Sequence, residues 1–309
     1  MDLKYTSEHA FSGHKLYMEQ KYTSAESELR AAIKLAPHDA SSHRRLMRTL
    51  FKQGKEQEAK KIGLETLRLN DQMGVAYADK YLKGLMLNQN EISKKKVFNT
   101  IDKSKNIISF CLWGNKDIYC SRAIENVRRA QIIYPEWTCR FYCDDDVPQK
   151  VIDTLKKEGA QVLFVQGGLQ KNDRLFWRFF VADDPKVDRF ICRDCDSLLN
   201  CQERVAVDDW IESGKPFHVM RDFVTHVDVM LAGMWGGLTN VLPAILGTLL
   251  TAQYLSSHTR ETDQIFLRER IWGLIREDVV VHDSYYSPDF GVPFPKYGRL
   301  IRPAHVGGF

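Results

Sequence analysis

The first 88 residues carry apolar side chains at helical spacing and show almost no strand pattern. Part of this region matches the second helix and terminal proline of a tetratricopeptide repeat; the matching positions are Ala25, Leu29, Ala32 and Pro37. A second copy is expected about 34 residues later, where a helical segment follows Gly54 and sets Ala59 in register with Ala25. The segment GVAYADKYLKGLML predicts a further, capping helix. We therefore expect a tetratricopeptide-like all-α region over 1–88, with an ordinary helical bundle as the alternative.

From residue 107 the pattern changes to apolar runs of strand length that alternate with helical segments. The expected strands are NIISFCLW, TCRFYCDDD, QVLFVQGG and VDRFICRDCD. This alternation predicts βαβ units and a mainly parallel sheet. The lysine-rich stretch 89–106 predicts a solvated basic linker between the two regions. The α/β domain is thus expected to cover 107–309.

The overall composition is that of a globular protein, with 44% hydrophobic and 27% charged residues among 309. A net charge of +4 is too small to indicate nucleic-acid binding. The N-terminus lacks the apolar core of a secretory signal, and no apolar run reaches the length of a membrane span. The run VLPAILGTLLTAQYL is expected to be a buried helix. Seven cysteines argue against a disulfide framework. We expect a soluble, cytoplasmic protein with no transmembrane segment.

Two groups of acids follow expected strands. Asp144, Asp145 and Asp146 follow the second strand, and Asp194 and Asp196 follow the fourth. Within a strand, residues two apart lie about 7 Å from each other, so either group must enter a turn to converge on one cation. In parallel sheets, ligands bind outside the carboxyl ends of the strands, where both groups lie.

Arginines upstream separate the two groups. Arg174 and Arg178 lie four residues apart on one helix face, and Arg193 directly precedes Asp194. Acids that bind Mg²⁺ or Mn²⁺, together with arginines that meet phosphate oxygens, form a diphosphate site. The alternative for Asp194 and Asp196 is a turn at the strand end. The first group is expected to contact a base or ribose, or to be a solvated turn.

Residues 107–309 resemble the GT-A class of nucleotide-sugar glycosyltransferases in the βαβ first half and the apolar strand that ends in D-x-D. The segments RDCDS, HVMRD, LAGMWGG and TDQIFL, in this order, resemble a group of bacterial glycosyltransferases, some with tetratricopeptide repeats. The resemblance implies a GT-A-like fold, a divalent cation (Mn²⁺ or Mg²⁺) and a nucleotide-sugar co-substrate. It implies Asp194 and Asp196 as metal ligands. His305 near the end of the sequence is a partial match to a third ligand, or else a tail histidine.

The resemblance also implies roles for residues around the expected site. Asp263 is the catalytic candidate, with Gln264 beside it; the alternative is an acid that stabilises a helix N-terminus. Both inverting and retaining chemistry are compatible with this pair. The donor-binding candidates are Trp113, Asp144, Asp145, Arg174, Arg178, Arg193 and Asp194. The candidates for a sugar or acceptor pocket are Arg221, Asp222, Gly233, Trp235 and Gly236, with a glycine-rich turn around a core tryptophan as the alternative.

The sequence therefore predicts a metal-dependent glycosyltransferase that acts on a protein or surface-glycan acceptor. The helical region would bind the acceptor or brace the catalytic domain. One rival is a non-catalytic scaffold with a degenerate α/β domain. A nucleotidyltransferase is disfavoured because LWGNKDIY, after the first strand, offers one glycine and one lysine. An aspartyl phosphatase would place D-x-D after the first strand, whereas here it follows the fourth.

Overall fold

A computed structural model describes residues 5–166, 173–255, 261–298, 300 and 304–308. Four helices form the N-terminal region: α1 (Glu8–Met18), α2 (Tyr22–Leu35), α3 (Ala40–Lys52) and α4 (Glu56–Tyr81). Consecutive helices pack against each other as two hairpins. The apolar positions that predicted these helices, including Ala25 and Ala59, are fully buried.

The two hairpins repeat at the spacing that the sequence predicts. Gln20 and Gly54, which are 34 positions apart, both adopt left-handed backbone conformations, with φ of 59° and 74°. Each lies in the short turn before the second helix of its hairpin. The expected capping helix does not exist as a separate element, because α4 continues through Gly74 to Tyr81. The assignment of the hairpins as tetratricopeptide repeats stays a prediction.

A seven-stranded sheet forms the centre of the rest of the chain. Its strands are β1 (Asn106–Leu112), β2 (Thr138–Cys143), β3 (Gln161–Phe164), β4 (Arg189–Cys192), β5 (Phe217–Arg221), β6 (Trp235–Leu238) and β7 (Val279–Asp283). The order across the sheet is β3-β2-β1-β4-β6-β5-β7. All neighbours pair in parallel except at β6, which is antiparallel to both β4 and β5. The predicted mixed α/β fold with a mainly parallel sheet is confirmed.

Further helices lie between and beside the strands in the sequence. They are α5 (Gln89–Lys94), α6 (Asp117–Ile133), α7 (Gln149–Lys157), α8 (Cys201–Ser213), α9 (Ala252–Leu255), α10 (Thr262–Phe266) and α11 (Gly273–Ile275). A single 3₁₀ turn spans Lys103–Lys105, and a longer 3₁₀ helix spans Asp173–Asp183. A π-helical stretch, Leu267–Trp272, joins α10 to α11. In the part of the chain that the structure describes, no helix combines the length and apolarity needed to cross a membrane.

Two predicted elements differ from the structure. The segment LAGMWGG, expected as a glycine-rich loop or turn, contributes β6 instead. A Cβ at Gly236 would lie 2.5 Å from the Phe190 carbonyl oxygen, so glycine permits the close pairing of β6 with β4. The run from Val241 to Leu250 is not a helix. Pro243 and the positive φ of Gly247 (83°) interrupt it, although several of its apolar side chains are buried.

The segment expected to be a solvated linker packs against the α/β domain. Lys95 is buried, and its ammonium donates to the carbonyl and hydroxyl oxygens of Thr239 at 2.8 and 2.7 Å. The Asn88 amide donates to the Val241 carbonyl at 2.8 Å. Residues 89–106 therefore fix the chain to the sheet rather than separate two independent units.

The helical region and the α/β domain share one hydrophobic cluster. Leu46, Leu67 and neighbouring helical residues pack with Val224, Val227 and Tyr286 of the α/β domain. Helix α4 also lies against the π-helical stretch, where a Cβ at Gly74 would be 2.8 Å from the Arg268 carbonyl oxygen and 2.9 Å from the Trp272 ring. The close contact of these helices depends on the missing side chain at residue 74.

We expect Gly74→Val to lower the free energy of unfolding by about 1–3 kcal/mol, because the added side chain cannot fit against residues 268 and 272. Valine is a better helix former than glycine, so helix propensity alone predicts the opposite sign. Ala76→Val, on the exposed face of the same helix, is the control and should change stability by less than about 1 kcal/mol. Urea unfolding measures both. A stabilised Gly74→Val variant would contradict the docking of α4.

Candidate functional site

A buried arginine forms the centre of the candidate site. Arg178 lies in the 3₁₀ helix Asp173–Asp183, whose backbone is tied to β1 by a 2.7 Å hydrogen bond from the Ser109 hydroxyl to the Arg178 carbonyl. Its Nη2 donates to Asp263 Oδ2 at 2.7 Å, and its Nη1 donates to Asp194 Oδ1. The side chains of Arg178 and Asp263 are each only 5% exposed. One guanidinium thus joins two carboxylates that are far apart in the sequence.

Asp194 lies just beyond the carboxyl end of β4 and remains 46% exposed. The Ser197 amide donates to its backbone carbonyl at 3.2 Å, so the chain leaves the strand in a turn. Gly233 packs directly on the Asp194 carboxylate, and any side chain there would collide with it. The turn allows Asp194 to face solvent on one side while Arg178 holds its other side.

Asp196 shares this turn with Asp194. Arg122 donates to the Asp196 backbone carbonyl, and Asn126 of the same helix donates to the carbonyls of Cys195 and Ser197 at 3.2 and 3.0 Å. Burial, and next the negative charge of Asp194, raises the pKa of the Asp196 carboxyl. The two carboxyl groups therefore lie close enough to interact.

The carboxylates of this turn do not form a complete metal cage. Among the described residues, no three His, Cys, Asp or Glu side chains form a group that could hold a metal ion. Mg²⁺ and Mn²⁺ in phosphate-binding sites are commonly held by one or two carboxylates, with the remaining ligands from substrate phosphates and water. The donor set offered by Asp194 and Asp196 fits that kind of site.

Asp263 lies in the first turn of α10, and its carboxylate faces Arg178. Burial raises the pKa of Asp263 to about 6, against the lowering effect of Arg178; the charge of Asp194 raises it further. The backbone N–H of Gln264 donates to Asp263 Oδ1 at 2.9 Å. Gln264, however, lines a cavity that Asp263 does not line. The expected Asp263–Gln264 pair is thus divided between two spaces.

A second charged group lies at the ends of β1 and β2. Arg174 forms ion pairs with Asp144 and, at 3.2 Å, with Asp146. Asp146 also accepts from the Gly114 amide at 2.7 Å, which fixes the loop after β1 beside the loop after β2. Asp145 is exposed in this turn. Trp113 directly follows β1 and packs partly against the core. The donor-binding candidates other than Arg193 thus lie along one edge of the sheet.

Three candidates lie in the protein interior instead. Arg193 points to the opposite face of the sheet from Asp194, where its Nε lies 3.4 Å from Glu203 Oε1. The two neighbouring side chains thus have different partners, Arg178 for Asp194 and Glu203 for Arg193. The Trp235 ring is 1% exposed and packs edge-on against Phe179 and Phe190, so it is a core residue rather than a platform for a sugar. Gly236 is enclosed by the pairing of β6 with β4.

Arg221 and Asp222 connect structural elements. Arg221 is fully buried and donates to Asp283 Oδ2 at 2.6 Å and to the carbonyls of Val229 and Phe290 at 2.9 and 2.5 Å. All three of its guanidinium nitrogens are engaged, which leaves none for a substrate. Asp222 accepts from the Gln202 side chain and from the Val306 amide, both at 2.8 Å. These contacts correct the expected pocket role: the pair anchors β5 to the chain around it.

The segment 304–308 passes close to the turn that follows β4. The Ser197 hydroxyl donates to the Gly308 carbonyl at 3.5 Å. The His305 ring stacks on Phe223, with centroids 4.3 Å apart, and lies edge-on to His226. The expected ligand role of His305 is therefore not supported by a grouping with Asp194 and Asp196. The tail reaches the site through its backbone instead.

Two residues that no sequence motif indicates also shape the site. Arg122 and Asn126, four residues apart on α6, hold the backbone of the turn that carries Asp194 and Asp196. Their i,i+4 spacing on the helix after β1 was visible in the sequence. Their partners are backbone carbonyls, which carry no sequence signal, so the pattern alone does not lead to them.

We expect the pH dependence of stability to reveal Asp263. Its folded-state pKa is raised to about 6 from 3.8, so the folded protein binds the proton more tightly and stability falls as pH rises between these values. As pH rises from about 3.8 to about 6, the free energy of unfolding of the wild type should fall by roughly 3 kcal/mol relative to that of Asp263→Asn. Above this range the difference should change little. Urea unfolding at several pH values between 3.5 and 7 gives the difference. If the difference in unfolding free energy between the wild type and Asp263→Asn stays constant with pH, the raised pKa of Asp263 is contradicted.

The chain was compared with known proteins. No protein-family model and no curated protein matches the sequence. Among solved structures, it is similar to 4-diphosphocytidyl-2C-methyl-D-erythritol synthase from Anaerococcus prevotii, with a TM-score of 0.34 and 12% identity, over 60% of this chain and 90% of that one. It is also similar to a mutant O-GlcNAc transferase from Thermobaculum terrenum, with a TM-score of 0.22 and 15% identity, over 47% of this chain and 31% of that one. Both likenesses are too weak to support a conclusion about fold or activity.

Proposed function

We propose that this protein is a glycosyltransferase that uses a nucleotide-sugar donor and a divalent cation, Mn²⁺ or Mg²⁺. The observation that carries the proposal is the Asp194–Arg178–Asp263 bridge at the carboxyl end of the central strand β4. This group of charges is buried on one side and open to solvent at Asp194 on the other. It lies at the carboxyl end of the strands, where parallel sheets bind ligands. Its acids and arginine are the groups that a metal-bound diphosphate requires.

The donor would lie along the sheet edge between the two charged groups. Its diphosphate would meet Asp194 and Asp196, and the nucleoside would extend toward Asp144 and Arg174 at the ends of β1 and β2. A bound cation would supply Lewis-acid neutralisation of the charge that develops on the leaving diphosphate. Gly233 contributes by leaving room for the Asp194 carboxylate, which a side chain would displace.

In the transfer itself, the bond between the anomeric carbon and the diphosphate oxygen breaks, and an acceptor oxygen forms the new bond to that carbon. The nucleoside diphosphate leaves with the bonding electron pair, and its oxygen, or solvent water, takes up the proton that the acceptor hydroxyl loses. Arg178 holds the Asp194 carboxylate from its buried side, so we assign it the role of positioning this candidate metal ligand beside the leaving diphosphate. Asp263 is enclosed behind Arg178, so we assign it the role of positioning this arginine, in place of the direct catalytic role that the sequence resemblance implied.

We expect Asp194→Ala and Asp196→Ala to remove metal-dependent nucleotide binding without unfolding the protein. A ligand that binds only the folded state raises the free energy of unfolding, by about 2.7 kcal/mol when its concentration is 100 times its Kd. The melting temperature rises with it. The measurement is a thermal-shift screen with UDP, GDP, CDP and dTDP, each with and without Mn²⁺. Asp153→Ala, which changes an exposed acid on α7, is the control and should respond like the wild type. If the wild type responds to no nucleotide, the scaffold alternative gains.

We expect Arg178→Lys to reduce turnover about 10- to 100-fold, because an ammonium keeps the charge but cannot span two carboxylates as the guanidinium fork does. Release of nucleoside diphosphate from the donor measures turnover. The matched control is Arg204→Lys. Arg204 also joins two acids, Asp208 and Glu136, at 2.9 and 2.8 Å, but lies away from the site, so turnover should be unchanged. Equal turnover in both variants would refute the role of Arg178.

A further inference from the structure

A cavity of about 610 Å³ lies between the helical region and the α/β domain. Its helical wall includes the loop between α2 and α3, with Pro37 and His38, and Met73 of α4. Its other wall is one face of the segment that begins α10, formed by Glu261, Gln264 and neighbouring positions at helical spacing. The volume is within the range of small-molecule binding sites.

The cavity is a built feature rather than a loose gap. Arg44 of α3 crosses the domain junction and donates to Asp228 and, at 2.9 Å, to Glu261. Arg268 donates to Asn70 of α4 at 3.1 Å. These bonds, together with the shared hydrophobic cluster behind them, hold the two walls at a fixed separation.

The polar groups of the cavity favour an uncharged, hydroxyl-rich ligand. Arg44 engages one oxygen of Asp228 and one of Glu261, and within the described residues the second oxygen of each has no hydrogen-bond donor. The Gln264 side chain adds an amide that both donates and accepts. The lining holds three acids, Asp39, Asp228 and Glu261, against the two arginines Arg44 and Arg268, so it repels anions and offers carboxylate oxygens to hydroxyl donors. Met73 adds an apolar surface for C–H groups.

We propose that this cavity binds a saccharide, as the part of the acceptor that lies remote from the reacting hydroxyl. The inference rests on the proposed glycosyltransferase function. The first turn of α10 connects the two spaces: Asp263 faces Arg178 and the donor side, while Gln264, the next residue, faces the cavity. A bound saccharide would therefore contact Gln264, which is adjacent in the sequence to Asp263 and so to the ion pairs that hold Asp194. The helical region contributes directly to acceptor binding.

The test fills the cavity without disturbing its ion pairs. Met73 lies on the rim and is 42% exposed, so Met73→Trp should narrow the cavity and leave folding intact. Gln72→Trp, at the exposed neighbouring position that does not line the cavity, is the matched control. The full-length chain is first screened on a printed array of neutral oligosaccharides. Calorimetry with the strongest-binding oligosaccharide then measures affinity for the wild type and both variants, whose melting temperatures are compared.

We expect Met73→Trp to weaken saccharide binding by about tenfold or more and Gln72→Trp to leave it unchanged. Equal affinity of Met73→Trp and wild type would overturn the proposal. Absence of any oligosaccharide binding by the wild type would also overturn it, with a peptide as the remaining occupant. Nucleotide binding with Mn²⁺, measured in parallel, separates the two claims. If nucleotide binds but no saccharide does, only the cavity assignment fails; if saccharide binds in the cavity but no nucleotide does, the glycosyltransferase proposal fails.

Discussion

The structure around the candidate site depends on the pairing of the buried Arg178 with two carboxylates, the buried Asp263 and the partly exposed Asp194. A buried guanidinium is costly unless its charge is compensated, and here Asp194 and Asp263 both compensate it. The same contact fixes three elements: the 3₁₀ helix over β1, the turn after β4 and the start of α10. Removal of Arg178 leaves two carboxylates without their shared counter-charge, and one of them, Asp263, is buried. The geometry of the site and the local stability of the fold are thus set by the same bonds.

The helical region is fixed to the segment that carries Asp263. The sequence predicts a tetratricopeptide-like region over 1–88 that is joined to the α/β domain by a solvated basic linker. The structure instead buries Tyr286 of the α/β domain among the helical residues, pairs Arg44 with Asp228 and Glu261, and packs Gly74 against the helix that begins with α10. The acids Glu261 and Asp263 lie on this one segment. Any ligand that moved the helical region would therefore act on the segment that positions Arg178.

The sequence predicted the features that come from periodicity and strand-end chemistry. These include the helical hairpins, the parallel half of the sheet, and the placement of Asp144 and Asp194 at one sheet edge. It did not predict features that depend on close approach or on backbone partners. The sequence pattern did not predict strand β6, because its glycines lower strand propensity. The same glycines permit the close pairing of β6 with β4. The positions of Arg193 and Trp235 depend on a buried ion pair and on core packing, which a motif match does not consider.

The central claim is that the edge of the sheet at Asp194 binds a nucleotide sugar and promotes its cleavage. The most direct measurement is release of nucleoside diphosphate from a panel of UDP-, GDP-, CDP- and dTDP-sugars by the purified chain, with Mn²⁺ or with a chelator. The account predicts release from one nucleotide class, present with Mn²⁺ and absent with the chelator. Release from none of them, or release that does not depend on metal, would contradict it.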